Sequence, residues 1–538
     1  MTIILLLFAS AAVGQVTEEW VARYNGSAND VDIARAVAVD AQGNVYVTGS
    51  CRGSATYSDY ATIMYDSEGN ELWLARYNGP GSGDDYAKAL AVDADGNVYV
   101  TGSSEGSDTD YDYATIKYDP NGNQLWARRY NRAGNNYDGA YAIAVDSEGN
   151  VYVTGISGPR YGGEDYATIK YDSSGNELWV ACYNGPGNYD DEATALVVDA
   201  EGSAYVTGWS YGSGTYSDYA TIKYGANGNQ LWVARHNGPG DDWDEATALA
   251  VDAGGNVYVT GSTSSSGPGY DYATIKYDSL GNQLWVARYN HAVDTSDVAC
   301  GLTVDAQGNV YVTGYSFDPD TNEDYATVKY DSSGNELWVA RYNGPTNGFD
   351  GASALAVDGR GDIYVTGLSF GFDTYWDYTT IKYDLDGNEL WIVRYDGPVN
   401  GYDYAEALAV DQDGKVYITG WSKGDGTDYD YATIKYSQQT AVETGPSDNT
   451  LPGGFRLTCL PNPFNASTSI AYALAQPGEV KLTIHNLKGQ LMETLVDDFQ
   501  EVGEHSVTWD ASNHSSGIYF YKLTAGDYTE TRRVTLLK

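Results

Sequence analysis

The chain has too few cysteines for a disulfide framework: Cys51, Cys182, Cys300 and Cys459 stand alone in 538 residues, and no C-x-x-C or other metal-type spacing joins them. Only five histidines occur, two of them, His236 and His291, before residue 440. That excludes a credible Ser/His/Asp, Cys/His or histidine-rich metal constellation. Neither G-x-x-x-x-G-K-[ST] nor H-E-x-x-H is present. Basic residues are scarce as well, 30 against 74 acidic ones, for a formal charge of −44. Such a surface repels nucleic-acid phosphates and anionic membranes, so nucleic acid is not the expected partner. No internal stretch approaches the roughly 20 apolar residues of a membrane span. The apolar run Met1–Gln15, which ends in small residues, is too short to span and reads as an export signal over 1–15, although it lacks a basic start.

What is present is repetition. Trp20, Trp73, Trp126, Trp179, Trp232, Trp285, Trp338 and Trp391 follow one another at intervals of 53 residues, without insertion or deletion. Each period holds four short runs of β-forming residues, in the first copy Ala34–Asp40, Val45–Gly49, Tyr60–Asp66 and Leu72–Tyr77. Helical periodicity is absent. Four strands per period predict an all-β, eight-bladed β-propeller over 18–437.

Two connections per blade, Asp40-Ala-Gln-Gly-Asn44 and Asp66-Ser-Glu-Gly-Asn70 in the first, carry the chemistry of a tight hairpin with a G1 bulge. The other two, 26–33 and 50–58 and their equivalents, vary from copy to copy, and the meander places all of them on one face. In the first strand, Ala34 and its equivalents are expected on one side of the pleat and the bulky residues at positions 37 and 39 on the other. The eighth copy lacks its Leu-Trp strand, so Trp20–Asn25 is expected to complete that blade beside Tyr431–Tyr436 and close the ring.

Asp85–Gly102, Asp-x-Ala-x-Ala-Leu-Ala-Val-Asp-x-x-Gly-Asn-Val-Tyr-Val-Thr-Gly, resembles the bacterial β-propeller repeat known as SBBP. The Asp-x-x-Gly-Asn-x-Leu-Trp run is similar, more weakly, to quinoprotein-like propellers. After a polar linker, 438–454, residues 455–538 form alternating short strands about the size of an Ig-like β-sandwich. Its motifs Leu460-Pro-Asn-Pro-Phe-Asn465, Trp509-Asp and Ser516-Gly-Ile-Tyr-Phe-Tyr521 resemble the type A sorting domain of type IX secretion and the Ig-like domain of flagellar hook-capping proteins. His485 stands where the sorting family usually has Tyr. The resemblance implies a secreted or cell-surface protein whose tail meets the type IX secretion machinery.

Candidate chemistry is of two kinds. Asp32, Asp85, Asp138, Asp191, Asp244, Asp297, Asp350 and Asp403 precede the first strand of each blade and are expected as a carboxylate ring near the channel mouth. They serve either a cation or ligand, or, the better reading for residues identical in every blade, local backbone N–H groups or the repeated arginine. Arg23 and its six copies, and Lys117 through Lys435, are expected to pair with Asp59 and its equivalents.

The second kind is aromatic and does not repeat. Tyr137, Trp243, Phe349 and Tyr402 stand just before the ring aspartates, and the 50–58-type loops add Tyr161, Trp209, Phe317, Phe372, Trp376 and Trp421. Aromatics beside carboxylates suit a sugar or a protein partner. Tyr137, Trp243, Phe349, Trp376 and Tyr402 are the expected ligand contacts. No catalytic residue, metal ligand or cofactor is assigned. Calcium is weighed at Asp108-Thr-Asp110-Tyr-Asp112 and Asp93-Ala-Asp95-Gly, neither of which completes an EF-hand pattern.

Loop lengths are the same in every blade, which favours a monomeric binding or adhesion module for an extracellular glycan or protein. The alternatives are a polysaccharide hydrolase or lyase and a quinoprotein-like oxidoreductase.

Overall fold

The computed structural model describes residues 16–53, 57–81, 83–132, 137–158, 163–264, 269–291, 295–372 and 374–438, and, towards the C-terminus, 456–460, 467–474, 476–486, 490–511, 514, 517–526 and 528–536. The export signal, Tyr161 and all but the first residue of the 438–454 linker lie outside the described residues. The chain divides into two compact units after Thr440.

The first unit holds eight sheets of four antiparallel strands and no helix among the described residues. In blade one the strands Asp32–Val39, Val45–Arg52, Ser58–Tyr65 and Glu71–Tyr77 pair in chain order. Compared with the sequence expectation, the second strand runs three residues further, to Arg52, and the third starts two earlier, at Ser58, so pairing continues into the variable loops. The first strand of each blade touches the first strands of both neighbours. These eight therefore surround the axis, and the tryptophan-bearing fourth strands lie outermost.

The tight turns form as their residues dictate. Asp40 Oδ1 accepts the backbone N–H of Gln42 and of Asn44, both at 2.9 Å, while Gly43 takes φ +80°. Gly69 serves twice. It supplies φ +85° to its turn, and it lies under Trp20 so closely that a Cβ would sit 2.7 Å from the ring. Seven of the eight outer tryptophans dock in this way on the next blade, and Trp73 Nε1 donates to the Pro120 carbonyl at 3.1 Å. Among the described residues, Trp391 has no turn glycine beneath it, and its buried Nε1 has no hydrogen-bond partner.

Simple alternation in the first strand does not hold. Register slips between Ala34 and Ala36, making residue 35 the extra residue of a bulge, and the same slip recurs in all eight blades. Ala34 therefore packs in one cluster with Val37 and Val39 instead of facing away from them. The residues at positions 36 and 38 turn to the following blade, as Ala142 and Ala144 do towards blade four.

Ring closure follows the sequence expectation. Val16–Tyr24 pairs with Tyr429–Gln438, with Trp20 opposite Lys435 and Tyr24 opposite Tyr431. Blade eight then docks on blade one like any other: Tyr431 Oη donates to the Ala61 carbonyl at 3.3 Å, as Tyr60 does to Ala114. Val16–Tyr24 is the outermost strand of blade eight and brings it to four strands like the others.

The second unit is a β-sandwich of a three-stranded sheet (Arg456–Leu460, Ser467–Leu474, Gly503–Asp510) and a four-stranded one (Gly478–Asn486, Leu491–Gln500, Gly517–Ala525, Tyr528–Leu536). Its core gathers Ile470, Leu482, Ile484, Trp509, Leu523 and Val534.

Candidate functional site: the variable-loop face

The eight ring aspartates are buried, at most 1% exposed, and do not open onto a channel mouth. Five of them, Asp32, Asp191, Asp244, Asp350 and Asp403, each hold two variable loops together. Asp32 accepts the N–H of Gly26 at 2.5 Å and of Arg52 at 2.8 Å, and Asp191 those of Gly185 at 2.6 Å and Tyr211 at 3.1 Å. Burial, with a neighbouring carboxylate adding to it, pushes Asp85, Asp138, Asp191 and Asp244 up to about 6. In Asp85, Asp138 and Asp297 one oxygen takes a loop N–H and the other is buried without a hydrogen-bond partner among the described residues; all eight are shut from solvent and tied to the loops of the scaffold.

Six of the seven arginines pair with the second set of aspartates, Arg76 with Asp59 at 2.8 Å, Arg129 with Asp112 at 2.6 Å and Arg394 with Asp377 at 2.8 Å among them, whereas Arg288 bonds Thr263 and His236 instead. The lysines do not. Lys117 lies over the Tyr99 ring, 4.8 Å from its centroid, and donates to the Ser173 carbonyl of the next blade at 3.3 Å, because the third-strand lysine faces the tight-turn end of the blade. In each of the two sequences weighed for calcium, one aspartate serves the same scaffold. Asp112 bonds Arg129 and Thr109, and Asp93 bonds its own turn and Tyr99.

With the repeated polar groups drawn into the scaffold, the remaining residues of this face are those that differ between blades. Phe349, Trp376 and Tyr402 come together: ring centroids are 6.2 Å apart for Phe349–Trp376 and 5.1 Å for Trp376–Tyr402. Tyr375 joins them, 5.1 Å from Tyr402. Trp243 belongs to a separate cluster, stacked on Tyr216 at 6.2 Å and edge-on to Tyr211 at 5.8 Å. Tyr137 packs against Tyr111 at 5.7 Å, and Tyr111 against Tyr86. Tyr375, 50% exposed, holds φ +62° in its turn, a left-handed conformation costly for a side chain of this size. Blade six has Asn322 at the same position, with φ +78°.

A second set was missed in the sequence. Trp209 and Trp421 are not loop residues; they sit in second strands, opposite Glu192 and Tyr404 of the first strands. There the bulge presents non-repeating residues at positions 33 and 35 towards the axis: Arg35, Lys88, Glu192, Glu245, Tyr404 and Glu406 among them. Arg35 and Glu406 form an ion pair at 2.5 Å across blades one and eight. Trp421 donates to Glu406 at 3.1 Å and stacks on Tyr404 at 5.4 Å. Burial, then Glu245 and Glu164, push Glu192 up to about 7, and burial holds Lys88 below the usual lysine range. The signal was available: positions 33 and 35 change in nearly every blade, inside a strand that otherwise repeats.

Two family models match the chain. Residues 19–50, 72–108 and 125–157 match the β-propeller repeat SBBP, and 458–536 match the secretion system C-terminal sorting domain, which marks a secreted or cell-surface protein of the type IX route. Among curated proteins the chain is similar to an uncharacterized WD repeat-containing protein, L264, of Acanthamoeba polyphaga mimivirus, 25% identical over 74% of this chain and 30% of that protein. It is also similar to the regulatory protein FlaEY of Caulobacter vibrioides, 32% identical over 27% of this chain and 15% of that one. The chain thus spans under a third of the length of either relative. Among solved structures, PorZ, a bacterial surface component of the type IX secretion system of Porphyromonas gingivalis, aligns over 92% of this chain and 64% of its own at 15% identity and a TM-score of 0.38. The apocarotenoid oxygenase of Synechocystis aligns over 73% and 96% at 10% identity and 0.37.

Proposed function

We propose that this secreted or cell-surface chain, a propeller of SBBP repeats followed by a type IX sorting domain, is a non-catalytic binding module that holds an extracellular glycan or protein on its variable-loop face. One observation carries the reading. The non-repeating aromatics gather into clusters with exposed members, Phe349–Trp376–Tyr402–Tyr375 above all, on the face where the repeated aspartates and arginines are drawn into the scaffold. Rigid aromatic surface beside polar loops is the composition of a recognition patch. The strained Tyr375 supports it further, since a left-handed tyrosine persists only where something other than stability retains it. The test is a glycan and protein-partner screen of the purified chain, repeated with Trp376→Ala. Retention of every ligand by that variant sinks the assignment of this cluster.

A second reading rests on Glu192. A carboxyl raised to about 7 beside Glu245 is the pairing a polysaccharide hydrolase needs for an acid and a base or nucleophile. Release of reducing ends from a bound polysaccharide, abolished by Glu192→Gln, would favour hydrolysis over binding.

A further inference from the structure

Seven of the eight seams between blades repeat one group of side chains: an aspartate at the start of a third strand, the arginine that neutralises one of its oxygens, and the ring aspartate of the next blade. In seven of the eight copies the residue after the fourth strand is asparagine: Asn25, Asn78, Asn131, Asn184, Asn237, Asn290 and Asn343. Between blades seven and eight it is Asp396. That change adds a third carboxylate to the pair already there. One carboxylate oxygen each from Asp377, Asp396 and Asp403 lies within 4.8 Å of the others.

The charge there is not balanced by protein. Among the described residues Arg394 is the one cation paired with the group, at 2.8 Å from Asp377 Oδ2. Thr374 donates to the same oxygen at 3.0 Å. Asp377 is 4% exposed, and its other oxygen, Oδ1, is buried with no side-chain or backbone donor among the described residues, as in equivalent aspartates of other blades; what sets this seam apart is the third carboxylate beside it. A buried carboxylate oxygen without a donor costs free energy unless something positive or protic meets it. Asp403 is fully buried, with Gly397 and Lys423 N–H groups on its oxygens at 2.9 and 3.1 Å. Asp396 is exposed, so the group is reachable from solvent.

We propose that Asp377 Oδ1, Asp396 and Asp403 hold a divalent cation, calcium by its chemistry, in the seam between blades seven and eight. Calcium takes carboxylate oxygens at about 2.3–2.6 Å in irregular geometry and completes its shell with water, so two ligands on opposite sides lie about 4.6–5.2 Å apart. Three carboxylate oxygens within 4.8 Å of one another are close enough to share such an ion. The seam also underlies the aromatic cluster, because Trp376 precedes Asp377 and Tyr402 precedes Asp403. A cation there ties the two loops that carry those rings. The site stands on the carboxylates themselves and does not depend on the ligand-binding reading.

The experiment uses the full chain, terbium as a luminescent calcium mimic excited through tryptophan, and calcium alone in calorimetry. Wild-type protein is expected to show one calcium-displaceable terbium signal and one calorimetric site above any diffuse binding by its acidic surface. Asp396→Asn, which installs the residue of the other seven seams and so keeps the fold, is expected to lose both. Asn343→Asp places the same third carboxylate beside Asp324 and Asp350 one blade earlier and is expected to add a second site. A wild-type titration with no discrete calcium site, or one that Asp396→Asn leaves unchanged, overturns the proposal. A melting temperature that answers to pH and not to calcium, and shifts in Asp396→Asn, would mean that the seam holds a proton instead, and overturns it equally.

Discussion

Arg132 bonds Asp165 and the Ser157 carbonyl from the loop before blade three, the two contacts that Arg129 makes to Asp112 and Ser104 from a fourth strand. It does so because Cys182 occupies the slot of the repeated arginine in that blade, opposite Ala167. Position 132 is glycine in most other copies. The guanidinium has therefore been replaced by one that approaches the same buried carboxylate from another part of the chain, and the demand of Asp165 for a cation is the constant.

Removing Arg132 should expose that demand. Arg132→Gly leaves Asp165 buried beside no arginine and is expected to cost about 1–2 kcal/mol, below the 3–5 typical of fully buried pairs since Arg132 is 38% exposed. Cys182→Arg in that background should recover most of the loss. Equilibrium denaturation of the four proteins of this double-mutant cycle gives the coupling, and a cycle that adds without coupling shows the two arginines do not substitute for one another.

The closing strand makes a second test. Trp20 covers Gly69 and donates to the Ser67 carbonyl at 3.1 Å, while its strand caps the edge of Tyr429–Gln438. Trp20→Ala is expected to cost about 2 kcal/mol, less than the 3–5 of a fully buried tryptophan, because the ring is half-buried. Deleting 16–24 should do more than destabilise. An uncovered edge strand pairs with other chains, so size-exclusion chromatography should show oligomers. A monodisperse deletion protein would mean that the eighth blade tolerates three strands.

The architecture was legible because its determinants repeat. Eight copies average out the ambiguity of any one strand, and Asp-x-x-Gly turns fix both the hairpins and the face they occupy. Two things escaped. The bulge at residue 35 leaves no mark in a run of small residues such as Ala34-Arg-Ala-Val37, yet it decides which side chains reach the axis. The burial of the ring aspartates depends on loop N–H groups that only the folded seam brings to them. Of the five expected contacts, the chain brings Phe349, Trp376 and Tyr402 together and leaves Trp243 and Tyr137 in clusters of their own.

Stability should rise on mild acidification. Asp85, Asp138, Asp191 and Asp244 titrate at about 6 in the folded chain against an ordinary 3.8. Between those values the folded state binds more protons than the unfolded one. Their destabilising effect is thus absent below the lower value, grows as pH rises, and is complete above the upper. The turn aspartates Asp93 and Asp252 act oppositely. Hydrogen bonds hold them below the usual carboxylate range against the effect of burial, and their contribution is lost as pH falls through that lowered value. Calorimetric melting temperatures should climb from pH 7.5 to about 5 and fall below about 4. A melting temperature that instead drops steadily from pH 7.5 downwards would show that the buried ring does not govern the acid response.

Tyr375 separates stability from recognition. Its turn demands φ near +62°, where an asparagine side chain can bond locally and a tyrosine Cβ crowds the following carbonyl, at a cost of roughly 1–2 kcal/mol. Blade six meets the same demand with Asn322. Its third strand, Asn322–Tyr330, is otherwise equivalent to Tyr375–Tyr383, so Tyr375→Asn imports a solution that this fold already uses. The variant is therefore expected to melt higher than wild type by an amount corresponding to about 1 kcal/mol. It also removes a half-exposed ring lying 5.1 Å from Tyr402, at the open side of the densest aromatic cluster. If that cluster holds the ligand, affinity should fall about tenfold or more, the loss usual for an aromatic at the centre of a contact patch. Thermal melts and a binding titration on the same preparation check both halves. A variant that is more stable and binds as well as wild type would mean that the tyrosine is retained for some purpose other than this face's ligand.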